Sequence, residues 1–201
     1  MTSEKVPADT CEALKILGVA HVVLPREARQ AFPNLDFTCP ETTEFYQKTF
    51  DQAKSGNQRG TKWRFFPVPA ASIQEIAQIE KIDLGNRADS VFSYMDFEPK
   101  MVLVNFQGLH KGLNWYAQNG SIIGGVRARE RYVFVGALLF LKLQREVLLP
   151  DWAHWGASQI GTEGRLFVGN MNSGNPQFGV HSQNDYSDTL RVCIQKEPDR
   201  K

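Results

Sequence analysis

The stretch RYVFVGALLFLKLQREVLL at residues 131–149 decides the fold, because it holds the longest apolar run of the chain and can be read two ways. Tyr132, Val133, Phe134 and Val135 favour an extended backbone, whereas residues 137–144, followed by Arg145 and Glu146, would also make a buried helix. Periodicity does not arbitrate, since a run with so few polar interruptions shows neither a repeat of two nor one of 3.6. The β-formers at its start tip the reading toward strands. Gly136 and Lys142 interrupt the run, which is well short of the ~20 residues a membrane helix needs. A buried core element is expected, with no insertion into a membrane.

Outward from this run, strand signals dominate. Residues 90–97 alternate in part, residues 101–106 form a short buried run, and Asn119-Gly120 is a hairpin dipeptide whose flanks, 114–117 and 121–123, would pair across a tight turn. On the C-terminal side, Asp151-Trp152-Ala153-His154-Trp155 opens a segment rich in Gly, Asn and Gln, with glycines at 164, 169, 174 and 179. The residues between those glycines do not match one another, so hairpin turns explain them better than a repeat does.

The first third reads as helical. Asp9 and Thr10 precede Glu12 as a capping box for a helix over 9–17 stopped by Gly18; residues 19–24 suit a buried strand; and Pro25 opens a short helix that ends before Pro33. Residues 40–54 form the clearest helix, opened by Pro40, closed by Gly56 and burying Phe45 and Phe50. Residues 55–61 read as a loop and 63–69 as a proline-limited edge strand. Ser72 and Glu75 make a second capping box for a helix ending near residues 84–86.

The expected architecture is α+β: short N-terminal helices packed on one side of a mostly antiparallel β-sandwich or barrel built by the C-terminal half. Residues 1–201 are read as one domain, with a helix-rich part over 1–85, a β-rich part over 86–195 and a flexible tail over 196–201. At 42% hydrophobic and 22% charged, the composition is that of a chain able to bury a core. Lys plus Arg numbers 23 against 22 for Asp plus Glu, so no global basic field favours nucleic acid. The N-terminus lacks the basic and apolar regions of a signal peptide, which points to the cytoplasm. Cys11, Cys39 and Cys193 lie far apart and suggest a reduced compartment, with one Cys39–Cys193 or Cys11–Cys39 bridge left open.

The chemistry is less specific. Trp152 and Trp155 are spaced to share one face of a turn, and flat rings with one donor each suit sugars or bases. Asn170, Asn172, Gln183 and Asp185, with the neighbouring Tyr186, add amides, a carboxylate and a ring that suit hydroxyl-rich ligands. Together with His154 these residues define the expected ligand site; the opposing reading makes the indoles core and the amides turn residues. None of His21, His110, His154 and His181 forms a helical i, i+4 pair, and the stretches 108–112 and 124–125 lack phosphate-loop spacing, so neither metal nor cofactor is expected. Arg127, Arg129 and Arg131 alternate and would line a solvated sheet face. The expected function is a non-catalytic recognition domain for a carbohydrate or other polar ligand. One alternative is a homo-oligomeric, jelly-roll-like coat or appendage subunit. The other is a hydrolase or deamidase using His154 or His181 with a carboxylate or cysteine.

Overall fold

A computed structural model describes residues 7–39, 42–84, 98–160, 162–169, 171 and 177–198. The chain opens with strand β1 (Pro7–Asp9) and helices α1 (Thr10–Leu17) and α2 (Pro25–Ala31), then β2 (Thr42–Tyr46), α3 (Gln47–Gln58), β3 (Trp63–Val68) and α4 (Ile73–Glu80). There follow β4 (Lys100–Leu109), α5 (Trp115–Gly120), β5 (Val126–Arg127), α6 (Glu130–Lys142), β6 (Ala153–Ile160), β7 (Gly164–Gly169), β8 (Gln177–Ser182) and β9 (Leu190–Gln195). The fold is α+β with a sheet-rich C-terminal half.

Local chemistry explains several boundaries. Gly18 stops α1 in the left-handed region, at φ 87°. Pro25 occupies the first turn of α2, while the Glu27 carboxylate accepts the Leu24 N–H at 2.8 Å. In α4 the capping box is complete: Ser72 Oγ accepts from the Glu75 N–H at 3.0 Å and the Glu75 carboxylate accepts from the Ser72 N–H at 2.7 Å. That helix ends at Glu80, earlier than expected, because Lys81 turns left-handed.

The largest correction concerns residues 131–149. They open as helix α6, not as strands, and residues 130–140 are buried on every side of it. Glu130 at its start and Lys142 at its end complement the helix dipole. At Gly136 an added Cβ would lie 2.6 Å from the Phe66 ring and 2.7 Å from the Phe106 ring, so the missing side chain is what lets α6 lie directly on the sheet.

Asn119-Gly120 likewise closes helix α5 and makes no hairpin; Asn114 caps that helix by accepting the Ala117 N–H at 2.9 Å. Residues 19–24 contribute only an isolated parallel bridge, Val22 to Phe65. The helix expected over 40–54 begins at Gln47, since the β-branched pair Thr42 and Thr43 belongs to β2, which pairs antiparallel with β1. It then runs past Gly56 to Gln58. Phe45 and Phe50 are buried as expected. Pro40, Glu41, Gly174 and the strand expected over 90–97 lie outside the described residues. Gly164 and Gly169 bound β7, whereas Gly179 sits inside β8.

The main sheet has seven strands in the order β3-β4-β9-β6-β7-β8, with β5 also against β9. Among the described residues no pairing joins β8 back to β3. Strand β9 is the hub, antiparallel to β4 on one side; on the other it is parallel to β6 at its start and antiparallel to β5 at its end. The pair β3–β4 is covered on both faces, as its alternation demands. Phe65, Met101 and Leu103 face Ala13 and Leu17 of α1 and Phe50 and Ala53 of α3, whereas Phe66, Val102, Val104 and Phe106 face α6, α2 and α4. The N-terminal helices therefore lie on both sides of the sheet, not on one.

Candidate functional site

His154 explains how β9 changes partner. Its neighbour on that side is β6 as far as Arg191 and β5 from Ile194, which leaves the Cys193 N–H without a strand carbonyl. The imidazole fills the gap: Nδ1 accepts from the Cys193 N–H at 3.0 Å, and Nε2–H donates to the Ala128 carbonyl at 2.9 Å. Both ring nitrogens are used, and the side chain is fully buried. Burial, with the Arg127 charge adding to it, lowers its pKa from 6.5 to about 3, so the ring is neutral.

The indoles flanking it are framework too. Trp152 is 5% exposed and packs in the core beside α6, with the Arg191 guanidinium 5.5 Å from its ring; Trp155 is 0% exposed and packs with Phe167 and Trp115. Neither presents an open ring face. Trp152, His154 and Trp155 are thereby corrected from ligand contacts to scaffold, because inward-facing positions of β6 need large side chains to fill the space against α6 on one face and α5 on the other. Asn170 and Asn172 lie outside the described residues.

The other expected residues come together at the outer surface. Gln183 is buried as a stitch: its N–H donates to the Glu163 carbonyl, its carbonyl accepts the Trp115 N–H, and its Oε1 accepts from Arg165 Nε at 3.2 Å. Asp185 is exposed and lies 3.1 Å from His181 Nδ1. Tyr186 is 71% exposed, and its hydroxyl accepts from Asn114 Nδ2 at 3.4 Å. That bond ties the turn after β8 to the start of α5, where Tyr116 is 53% exposed.

Behind this surface lies a polar core that spacing alone did not reveal. Arg127, buried rather than on a solvated face, donates to the carbonyl of Trp155 at 2.6 Å, to Gln118 Oε1 at 3.2 Å and to the carbonyl of Trp115 at 3.2 Å. Burial lowers its pKa to about 10. Arg131 is buried too, on α6. The Trp115 ring has the Arg127 guanidinium at 4.8 Å and that of Arg165 at 4.0 Å, and its Nε1–H donates to the Gly156 carbonyl at 2.8 Å. Glu130 is buried, and its carboxylate accepts both the N–H of Ser158, at 2.6 Å, and the hydroxyl of Ser158, at 3.0 Å. Burial pushes the pKa of this carboxyl up, against the opposing pull of Ser158 and Arg127. A Cβ on Gly156 would sit 1.9 Å from Glu130 Oε1, so glycine is what admits the carboxylate.

The cysteines are all free. Burial pushes the Cys39 thiol up to about 12 and the Cys193 thiol well above its ordinary value, the opposite of what a thiolate nucleophile needs. Among the described residues no three His, Cys, Asp or Glu side chains gather as a metal site. No described helix is long and apolar enough to cross a membrane. An apolar crevice between Phe32, Phe37, Pro69 and Leu138 is too narrow for a water molecule and lies apart from this surface. Comparison with known protein families, with characterised proteins and with solved structures finds no match.

Proposed function

We propose that the chain is a non-catalytic recognition domain that holds a polar, carbohydrate-like ligand on the outer surface made by α5 and the turn after β8. One observation carries this reading: two large rings, Tyr186 and Tyr116, stand open to solvent on two segments tied together by the Asn114–Tyr186 hydrogen bond. Open ring faces supply the stacking that the buried indoles do not, and Asp185, Asn114 and Asn184 border them with the acceptors and donors that hydroxyl groups require. The ring contacts thus move from Trp152 and Trp155 to tyrosines on a scaffold those indoles help to build.

The catalytic alternative has less support, since His154 is committed to two backbone bonds and Cys39 and Cys193 are held as thiols. A glycan panel tests the proposal. Tyr186→Ala should weaken binding by roughly 1–3 kcal/mol, by analogy with the loss of an aromatic stacking partner, with the melting temperature nearly unchanged because the ring is exposed. Unchanged glycan binding by the Tyr116→Ala, Tyr186→Ala double variant would sink it.

A further inference from the structure

We propose that the loop at the end of β4, residues 108–113, is a binding site for a phosphate group, built from backbone N–H groups and flanked by Lys111 and Arg191; this goes beyond the recognition reading and does not rest on it. Positive φ recurs at every second residue of the loop, at Gly108 (70°), His110 (61°) and Gly112 (73°), and at neither Leu109 nor Lys111 between them. Alternation of this kind turns successive N–H groups toward one hollow, the arrangement with which a backbone cradles an anion. His110 is the telling position, because a residue with a side chain enters the left-handed region only at a cost and must be held there by its surroundings. The donors are backbone groups, so the residue spacing of 108–112 carries no trace of them.

The donors of the loop are open while its acceptors are taken. The N–H groups of His110, Lys111, Gly112 and Leu113 meet no acceptor among the described residues. Four consecutive backbone donors without an acceptor are unusual in a loop whose residues, Lys111 apart, are half-buried. Behind them the fully buried Gln118 shares its amide N–H groups among the carbonyls of His110 at 3.1 Å, Leu113 at 3.4 Å and Leu190 at 3.0 Å. These bonds tether the loop to α5 and β9 by its carbonyls and leave its N–H groups for a partner outside. Two cations border it. Lys111 is exposed on the loop itself, and the half-buried Arg191 of β9 runs past its start, where a Cβ on Gly108 would sit 3.0 Å from Arg191 Cδ. Neither enters an ion pair among the described residues. The acid at the rim is the exposed Asp188, whose Oδ1 would lie 3.2 Å from a Cβ on Gly112. Two cations against one acid, around a row of N–H donors, match the charge and the several acceptor oxygens of a phosphate better than those of a carboxylate.

The experiment follows the backbone amides of the isotope-labelled full chain by NMR, at pH 7 and constant ionic strength, while sodium phosphate and, separately, sodium acetate are added. Phosphate should shift the amide signals of His110, Lys111, Gly112 and Leu113 together and saturably, and acetate should bind more weakly. Lys111→Gln should weaken phosphate binding about two- to fivefold, as expected for losing one exposed charge partner, and Asp188→Asn should strengthen it. Gly112→Ala should abolish it, because a side chain at φ 73° strains the loop out of its alternation. If that variant fails to fold, Lys111→Gln, changed only at an exposed side chain, still decides. Phosphate shifts that spare these four amides, or that do not saturate at millimolar phosphate, would overturn the site. Acetate binding as tightly as phosphate would overturn its assignment to a phosphate group.

Discussion

At the scale of single residues, His154 acts as a strand substitute, and its chemistry makes that role measurable. Its pKa falls from 6.5 in the unfolded chain to about 3 in the fold. A depressed folded pKa gives stability that is fully present above the unfolded value and lost as pH falls through the folded one. Between pH 6.5 and 3 the loss should approach about 1.4 kcal/mol per pH unit from this residue. Urea denaturation of wild type and His154→Gln at pH 7, 5 and 4 checks this, because the variant should lack that part of the slope. His154→Ala should cost at least about 2 kcal/mol at pH 7, since it leaves the Cys193 N–H and the Ala128 carbonyl without partners. A neutral outcome would mean that the ring is not what closes the gap between β6 and β5.

At the scale of elements, α6 is held to the sheet by shape at Gly136 and by hydrogen bonds at Glu130. Gly136→Ala would gain about 1 kcal/mol of helix propensity, but its methyl would collide with Phe66 and Phe106, and overpacking costs about 1–3 kcal/mol. A net loss in chemical denaturation is therefore expected; a gain would show that the two rings move aside freely. Glu130 couples α6 to β6 through Ser158. Its folded pKa is raised above the ordinary 4.5 by burial, so the stability it contributes is present below that value and is lost as pH rises through the folded pKa. Glu130→Gln should accordingly gain stability relative to wild type as pH is raised from 4 to 8. Glu130→Ala should instead lose about 1–3 kcal/mol at low pH by stranding the Ser158 donors. Equal pH slopes for wild type and Glu130→Gln would show that the carboxyl titrates normally.

At the scale of the whole molecule, β3 and β4 unite two apolar clusters by contributing alternate side chains to each. Phe50 is fully buried in the cluster with α1 and α3, far in sequence from the Trp152 and Trp155 environments. Phe50→Ala should destabilise by about 3–5 kcal/mol. If the shared strands couple the layers, the far-ultraviolet circular dichroism and tryptophan fluorescence transitions should shift together to lower denaturant. Two separated transitions in Phe50→Ala would show that the α1–α3 layer unfolds by itself and that residues 1–201 do not act as one cooperative unit.

What the sequence determined by itself was local. Gly18, Pro25 and the Ser72–Glu75 box set helix ends because a cap or a φ restriction acts within a few residues, and residues 63–69 and 101–106 were legible as a proline-limited strand and a short buried run because apolar residues dominate both. Tyr186 and Asp185 stand at the surface, where a polar turn puts such groups. The tertiary structure decided the rest. Residues 131–149 carry no usable period, since α6 is apolar on all sides, although its 13 helical residues, long for a strand, and the helix formers after Gly136 were a readable hint. Trp152, His154 and Trp155 have the same composition whether they face a ligand or the core, and only the packing of α6 and α5 on opposite faces of β6 turned them inward. The grouping of Arg127, Trp115, Arg165 and His181 depends on strand register across β6, β7 and β8, a long-range arrangement that no spacing along the chain encodes.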